Sequence, residues 1–314
     1  MTVDRPARPR TVWRPLHGVL LLDKPRGLSS NDALQRARRL LRAHKGGHTG
    51  TLDPLACGLL PLCFGAATKF AQAGLEHDKG YRATLQLGTT TTTGDAEGEV
   101  VAVRPWPQLD RAALQAACDT LVGPIDQVPP MHSALKRDGR ALYDYGREGV
   151  TVDRTPRRVT IHALAVVDDP DADAAQGRWV VDVRCSKGTY VRTLAEALGD
   201  RLGCGAHLAG LRRTVSGPLT LAQAVTLDVL EAEDEAARTR RLLPPDALVA
   251  DQPAVCLPAD EAARFLTGLR RRVCLPDAPA VRVYGPEPGA FLGGARLAGG
   301  ELIPLRLLSP DEAR

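Results

Sequence analysis

The chain has 314 residues and, at roughly 150 residues per domain, holds about two domains. With 44% hydrophobic and 25% charged residues it can bury a core without disulfide or metal staples. A net charge of +4 does not by itself announce a nucleic-acid partner, and aromatics at 4% argue against RNA readers built on several stacked aromatics.

Residues 1–16 (MTVDRPARPRTVWRPL) are rich in Pro and Arg and read as a flexible basic arm without the apolar segment of a secretion signal. The 7 cysteines form no C-x-x-C pair, and no apolar run approaches the ~20 residues of a membrane span. A reduced, cytoplasmic setting is the resulting expectation.

In chain order, GVLLLDKP at 18–25 is a short apolar run stopped by proline and reads as a buried strand. Ser29 and Ser30 offer capping oxygens to a helix reaching Ala43, with Ala33, Leu34, Ala37, Leu40 and Leu41 at helical spacing. The Gly-rich piece at 45–58 is expected to be irregular, and the apolar run 59–64 a strand. Residues 79–87 alternate, with Tyr81, Ala83, Leu85 and Leu87 on one face, as in a half-buried strand. A polar turn at 89–98 and a helix at 109–121 follow. Residues 123–158 are rich in Gly, Pro, Arg and Lys and read as a long irregular insertion, either a functional loop or a disordered one. Strands at 159–167 and 179–185 precede a helix striped by Val191, Leu194, Ala195, Leu198 and Leu202. The charged run 231–241 reads as a solvated helix, 242–253 with three prolines as a linker, and the remainder as a small β-rich module. Helices and strands mix without βαβα regularity, so the fold class expected is α+β.

Asp53 is the first candidate for chemistry, being a carboxylate on a sharply shaped loop before Pro54. The local pattern alone favours a turn or capping aspartate over a nucleophile. His48 shares this loop and, with His44, makes an i, i+4 pair, but no carboxylate or Cys beside them completes a metal site. Tyr81 reads as a core tyrosine by position alone. Tyr190 and Arg192 open a helix, where the macrodipole disfavours a cation, so Arg192 is either solvated or paired with a carboxylate. Basic residues gather in the arm (Arg5, Arg8, Arg10, Arg14), in the loop (Lys136, Arg137, Arg140, Arg147, Arg154, Arg157, Arg158) and in the last module (Arg264, Arg270, Arg271, Arg272). Three such clusters raise the case for phosphate contacts.

GHTGTLDPLA, KGYRATLQLG and CSKGTYVRTL, together with GVLLLDKPRGLSSNDAL, SALKRDGRALYDYGREG and GAHLAGLRRT, resemble bacterial tRNA pseudouridine-55 synthases of the TruB type over residues 18–225. The resemblance implies a catalytic domain at 17–250, with a mixed, largely antiparallel sheet flanked by helices and an RNA-binding thumb loop at 123–158. It implies a PUA-like RNA-binding domain at 251–314. It implies Asp53 as nucleophile, Tyr81 against the target base, Arg192 paired with the aspartate, and Tyr190 and Leu211 shaping the uracil pocket. His48 is implied to contact RNA, and Lys24 with Pro25 to support the catalytic loop. Many relatives carry Tyr where this chain has His132. The implied reaction is isomerisation of uridine 55 in the T-arm loop of tRNA, needing no cofactor, metal, membrane or obligatory protein partner. A non-catalytic RNA-binding or tRNA-folding protein on the same fold is the alternative.

Overall fold

The computed structural model describes residues 12–133, 135–286 and 289–312. Most of the expected arm, including Arg5, Arg8 and Arg10, lies outside the described residues. Its last part is not a free basic tail. Arg14 N–H donates to Arg42 O at 2.7 Å, Arg14 O accepts from His44 N at 2.9 Å, and the Arg14 guanidinium pairs with Glu235.

The apolar run at the start forms strand β1 (Gly18–Lys24), buried on both faces as a continuous hydrophobic strand must be. Leu20 and Leu22 pack with helix α1 (Ser30–Leu41), while Val19 and Leu21 face a second core on the opposite side. Ser29 caps α1 by accepting from Asp32 N, and Ala33, Leu34, Ala37 and Leu41 form its buried stripe.

The Gly-rich piece is more regular than expected. Gly46–His48 forms a short strand, β2, antiparallel to β3 (Ala56–Phe64). A Cβ on Gly46 would meet the Phe64 ring at 3.2 Å, so glycine there permits the pairing rather than breaking it. After α2 (Ala71–Glu76), strand β4 (Lys79–Leu87) follows the predicted alternation and leads into a hairpin of β5 (Thr89–Thr91) and β6 (Val100–Val103). Helix α3 (Arg111–Asp119) is capped by Asp110.

Residues 123–158, expected to be irregular, contain structure. Gly123–Gln127 (β7) is an edge strand of the main sheet, and β8 (Lys136–Arg137) and β9 (Arg140–Ala141) form a hairpin. Asp138 and Gly139 turn that hairpin with φ of 51° and 81°, the Asp-Gly signature of a tight two-residue turn. Helix α4 (Leu142–Arg147) follows. Strands β10 (Arg157–Val166) and β11 (Arg178–Cys185), helix α5 (Val191–Arg201) and strand β12 (Ala206–Ser216) complete the site-bearing region.

With β13 (Leu219–Thr220) and β14 (Val225–Thr226) the main sheet has ten strands, in the order β14-β1-β3-β12-β4-β11-β10-β7; β2 pairs with β3, and β13 with β12. Neighbours are antiparallel except β14 with β1 and β3 with β12. The sheet is therefore mixed and largely antiparallel, and the α+β class stands. One core lies between it and α3 and α5; another lies between β1, β3, α1 and α6 (Leu227–Ala232). The charged run is helical, in α6 and α7 (Glu235–Arg240).

The expected linker is packed. Pro245–Val249 makes a short helical turn that buries Leu248 and Val249 against Val19, Leu21, Phe70, Phe291 and Leu308. Beyond it, β15 (Ala254–Cys256), α8 (Ala259–Leu266), β16 (Arg271–Arg272), β17 (Ala278–Tyr284), β18 (Phe291–Ala298) and β19 (Glu301–Leu307) build a five-stranded sheet of order β15-β17-β18-β19-β16.

Candidate active site

Asp53 sits on the loop between β2 and β3, and the loop is held from several sides. Ser30 does not cap its helix. Its buried hydroxyl accepts from Leu52 N at 2.7 Å and donates to Leu52 O at 2.9 Å, fixing the residue before Asp53. Arg26 Nε donates to Leu55 O at 3.2 Å and Gly27 N to Pro54 O at 2.8 Å. Arg213, almost wholly buried, donates to Leu59 O and Gly50 O. Lys24 is fully buried under the loop and donates to Pro25 O and Leu28 O. Burial lowers its ammonium to about 8, the charge of Asp53 being among those that oppose the fall.

Arg192 occupies the first turn of α5, where backbone N–H groups and the macrodipole repel a cation. Four acceptors offset that cost. Nη2 lies 2.9 Å from Asp53 Oδ2 and donates to His132 O at 2.7 Å. Nη1 lies 3.4 Å from Asp95 Oδ2 and donates to Thr93 O at 3.2 Å. The Arg192 side chain keeps 7% of its surface and Asp95 5%, whereas Asp53 keeps 42%. Asp53 is thus the carboxylate open to a ligand, with the Arg192–Asp95 pair buried behind it. Loss of surrounding water raises the Asp53 carboxyl above the ordinary carboxylate range, Arg192 pulling it back and Asp95 adding to the rise.

Asp53 opens into a pocket of about 570 Å³. Tyr81, Tyr190, Arg192 and Leu211 line it with Asp53, so five of the residues singled out in the sequence converge there. Leu211 reaches it because β12 runs between β3 and β4, with Leu211 opposite Ala56 and Ala83. Burial raises the phenols of Tyr81 and Tyr190, Arg213 opposing the rise at Tyr81. Both phenols therefore stay protonated at neutral pH and can donate hydrogen bonds to a ligand. Lys24 and His48 do not line the pocket. Lys24 lies beneath the loop, and His48 stands on β2 two residues before the lining Gly50, its Nδ1 buried without a partner and its imidazole lowered by burial. Among the described residues, no three His, Cys, Asp or Glu side chains gather as metal ligands.

Sequence reasoning missed Asp95, Arg213, Ser30 as a loop clamp, and Gln127. Asp95 lay in a stretch read only as a polar turn. Arg213 belongs to β12, whose period of two is broken by bulges at Leu208/Gly210 and Arg213/Val215. The unfavourable helix-start arginine was the available signal for a carboxylate partner, though not for a second one.

Residues 38–191 match the TruB family pseudouridylate synthase N-terminal domain, 192–250 the tRNA pseudouridylate synthase B C-terminal domain, and 253–308 the pseudouridine synthase II TruB C-terminal domain. The chain is 59% identical to the tRNA pseudouridine synthase B of Cupriavidus pinatubonensis, covering 96% of both chains. It is 57% identical to that of Burkholderia mallei, covering 98% of this chain and 99% of the relative. Its fold is shared with a solved Cbf5-Nop10-Gar1 complex at a TM-score of 0.70 and 22% identity, over 98% of this chain and 92% of the other. An archaeal box H/ACA Nop10-Cbf5 complex aligns at a TM-score of 0.69 and 21% identity, over 96% and 89%. With the match running almost end to end and the carboxylate pocket at its centre, this chain belongs to the TruB family of pseudouridylate synthases.

Proposed function

We propose that this enzyme isomerises uridine 55 in the T-arm loop of tRNA to pseudouridine, with Asp53 as nucleophile. The observation that carries the reading is an accessible Asp53 carboxylate, held by buried Arg192 at the edge of a pocket walled by two tyrosines. Relatives over half identical along nearly their whole length carry the name tRNA pseudouridine synthase B, which supports tRNA as the substrate.

The reaction breaks the bond between C1′ and N1, turns the uracil, and joins C1′ to C5, whose proton is lost while N1 gains one. Electrons balance within the substrate, so the reading calls for no cofactor. The base must leave the folded loop, at a cost of a few kcal/mol in stacking. His48, beside the pocket on β2, contacts RNA next to the flipped base and offsets part of that cost. Asp53 must be ionised to attack, and Arg192 both orients it and favours its charged form. Tyr81 packs on the base and can relay the C5 proton, its protonated phenol giving up its own proton as it takes that one. Tyr190 and Leu211 keep the detached base from escaping, and Lys24 holds the loop from below. The basic thumb segment and the C-terminal sheet supply phosphate contacts without an obligatory protein partner, and a tRNA substrate fits the cytoplasm.

Tritium release from RNA labelled at uracil C5 tests the chemistry, and mapping pseudouridine in tRNA from cells with and without this protein tests the position. Loss of the modification at position 55, and there alone, is expected. An unchanged map, or no tritium release, overturns the reading in favour of a non-catalytic RNA-binding protein.

A further inference from the structure

We infer that Gln127 is a positioning residue for this isomerisation, fixing the start of α5 so that Tyr190 and Arg192 meet the substrate in register. The inference rests on the function proposed above. Gln127 ends β7 and is 4% exposed. Its Oε1 accepts from Tyr190 N at 2.9 Å and its Nε2 donates to Tyr190 O at 3.2 Å. Tyr190 immediately precedes α5, and its own side chain makes no capping bond. The buried amide of Gln127 therefore does from another strand what a capping side chain does locally, satisfying an otherwise orphaned N–H.

A second contact lies five residues on, where His132 O accepts from Arg192 Nη2 at 2.7 Å. Pro129 and Pro130 stand between these contacts and fix φ at two of the intervening positions. One short, stiff segment thus grips both the backbone before α5 and the guanidinium on its first turn. The same segment begins the thumb region, which returns to the sheet at Arg157, opposite Gln127 in register. Gln127 is consequently the fixed point between a segment suited to RNA and the pair that does chemistry. Displacement of reacting groups by about 1 Å can cost on the order of 100-fold in rate, so losing this grip should be felt in the chemical step.

The test compares wild type, Gln127→Met and Gln127→Glu on a T-arm stem-loop tritiated at uracil C5, measuring single-turnover tritium release and the Kd for that RNA. Gln127→Met removes both bonds and is expected to slow the single-turnover rate about 10- to 100-fold, with Kd within about threefold. Gln127→Glu keeps an acceptor for Tyr190 N–H and is expected to recover part of the rate. A wild-type rate in Gln127→Met, or a loss confined to Kd, overturns the inference. Should Gln127→Met fail to fold, Gln127→Glu decides: a reduced rate at unchanged Kd supports the role, and a wild-type rate overturns it. Absence of tritium release from the wild type removes the proposed function and this inference together, an outcome distinct from an active wild type with an indifferent variant.

Discussion

Asp53 and Asp95 share one guanidinium: Arg192 presents Nη2 to the first and Nη1 to the second. The two carboxylates differ in how they are finished. Oδ1 of Asp95 accepts from Thr93 Oγ1 at 2.6 Å and from Glu97 N at 3.1 Å, so Asp95 is locked into its turn. Asp53 presents only Oδ2 to Arg192 and keeps 42% of its side-chain surface.

Asp95→Asn keeps the turn but sets an amide NH₂ against Arg192. A turnover loss of about 10- to 100-fold is expected, since a buried pair loses one partner. Stability to urea should fall by about 1–3 kcal/mol, with RNA affinity little changed. Wild-type kinetics for this variant would show that Asp53 alone suffices to hold Arg192.

Asp53→Asn removes the charge proposed to react and leaves the shape. Tritium release should stop, while RNA affinity stays within about tenfold, or about 1.4 kcal/mol. In the wild type, burial lifts the Asp53 carboxyl, and the proposed attack needs its ionised form. The single-turnover rate should therefore rise with pH through a midpoint above the ordinary carboxylate range and then level off. A rate falling with pH across that range would assign the titration to another group.

Arg192→Lys exchanges a planar fork for a point charge, which cannot serve two carboxylates and two carbonyls from one place. Turnover should drop at least about 100-fold, equivalent to about 2.7 kcal/mol of transition-state stabilisation. RNA affinity should fall much less, which filter binding would report.

Lys24 gives a prediction in stability rather than rate. Its ammonium is lowered from 10.5 to about 8 in the folded chain. Between those values the unfolded chain holds more protons, so this group makes stability rise with pH across that window. Lys79, also lowered to about 8, acts in the same direction, and the buried thiols of Cys63 and Cys118, pushed up to about 12, act oppositely above pH 9. The difference between wild type and Lys24→Met isolates the Lys24 contribution. Chemical denaturation at pH 7.5 and pH 10 should show the variant gaining less, and an equal gain would contradict a charged, buried Lys24.

Local pattern made part of this molecule readable. β1, β4, α1 and α5 follow apolar runs or stripes that burial alone explains. β12 escaped because its bulges interrupt alternation and its basic residues look solvated, although Arg213 is among the most buried side chains. β7 escaped because an edge strand is defined by backbone pairing with a distant partner, here Gln127 with Arg157. Asp53 was found through motif resemblance, since its own neighbourhood looked like an ordinary turn. Asp95 and Gln127 act across 97 and 63 residues of chain on Arg192 and Tyr190, distances at which sequence spacing carries no geometric message.

The packed turn Pro245–Val249 bears on how the chain comes apart. Leu248 and Val249 close a core whose other walls belong to both sheets, Val19 and Leu21 from one and Phe291 from the other, with Leu308 just beyond its last strand. Tyr284 and Arg282 of the second sheet bind Asp246 on that same turn. Cutting after residue 250 would leave apolar faces wet on each fragment, so each half should be less stable without the other. Heat should carry the two sheets through a single cooperative transition, and the C-terminal sheet then serves as a thermodynamic brace for β1 and for β3, the strand that leaves the Asp53 loop.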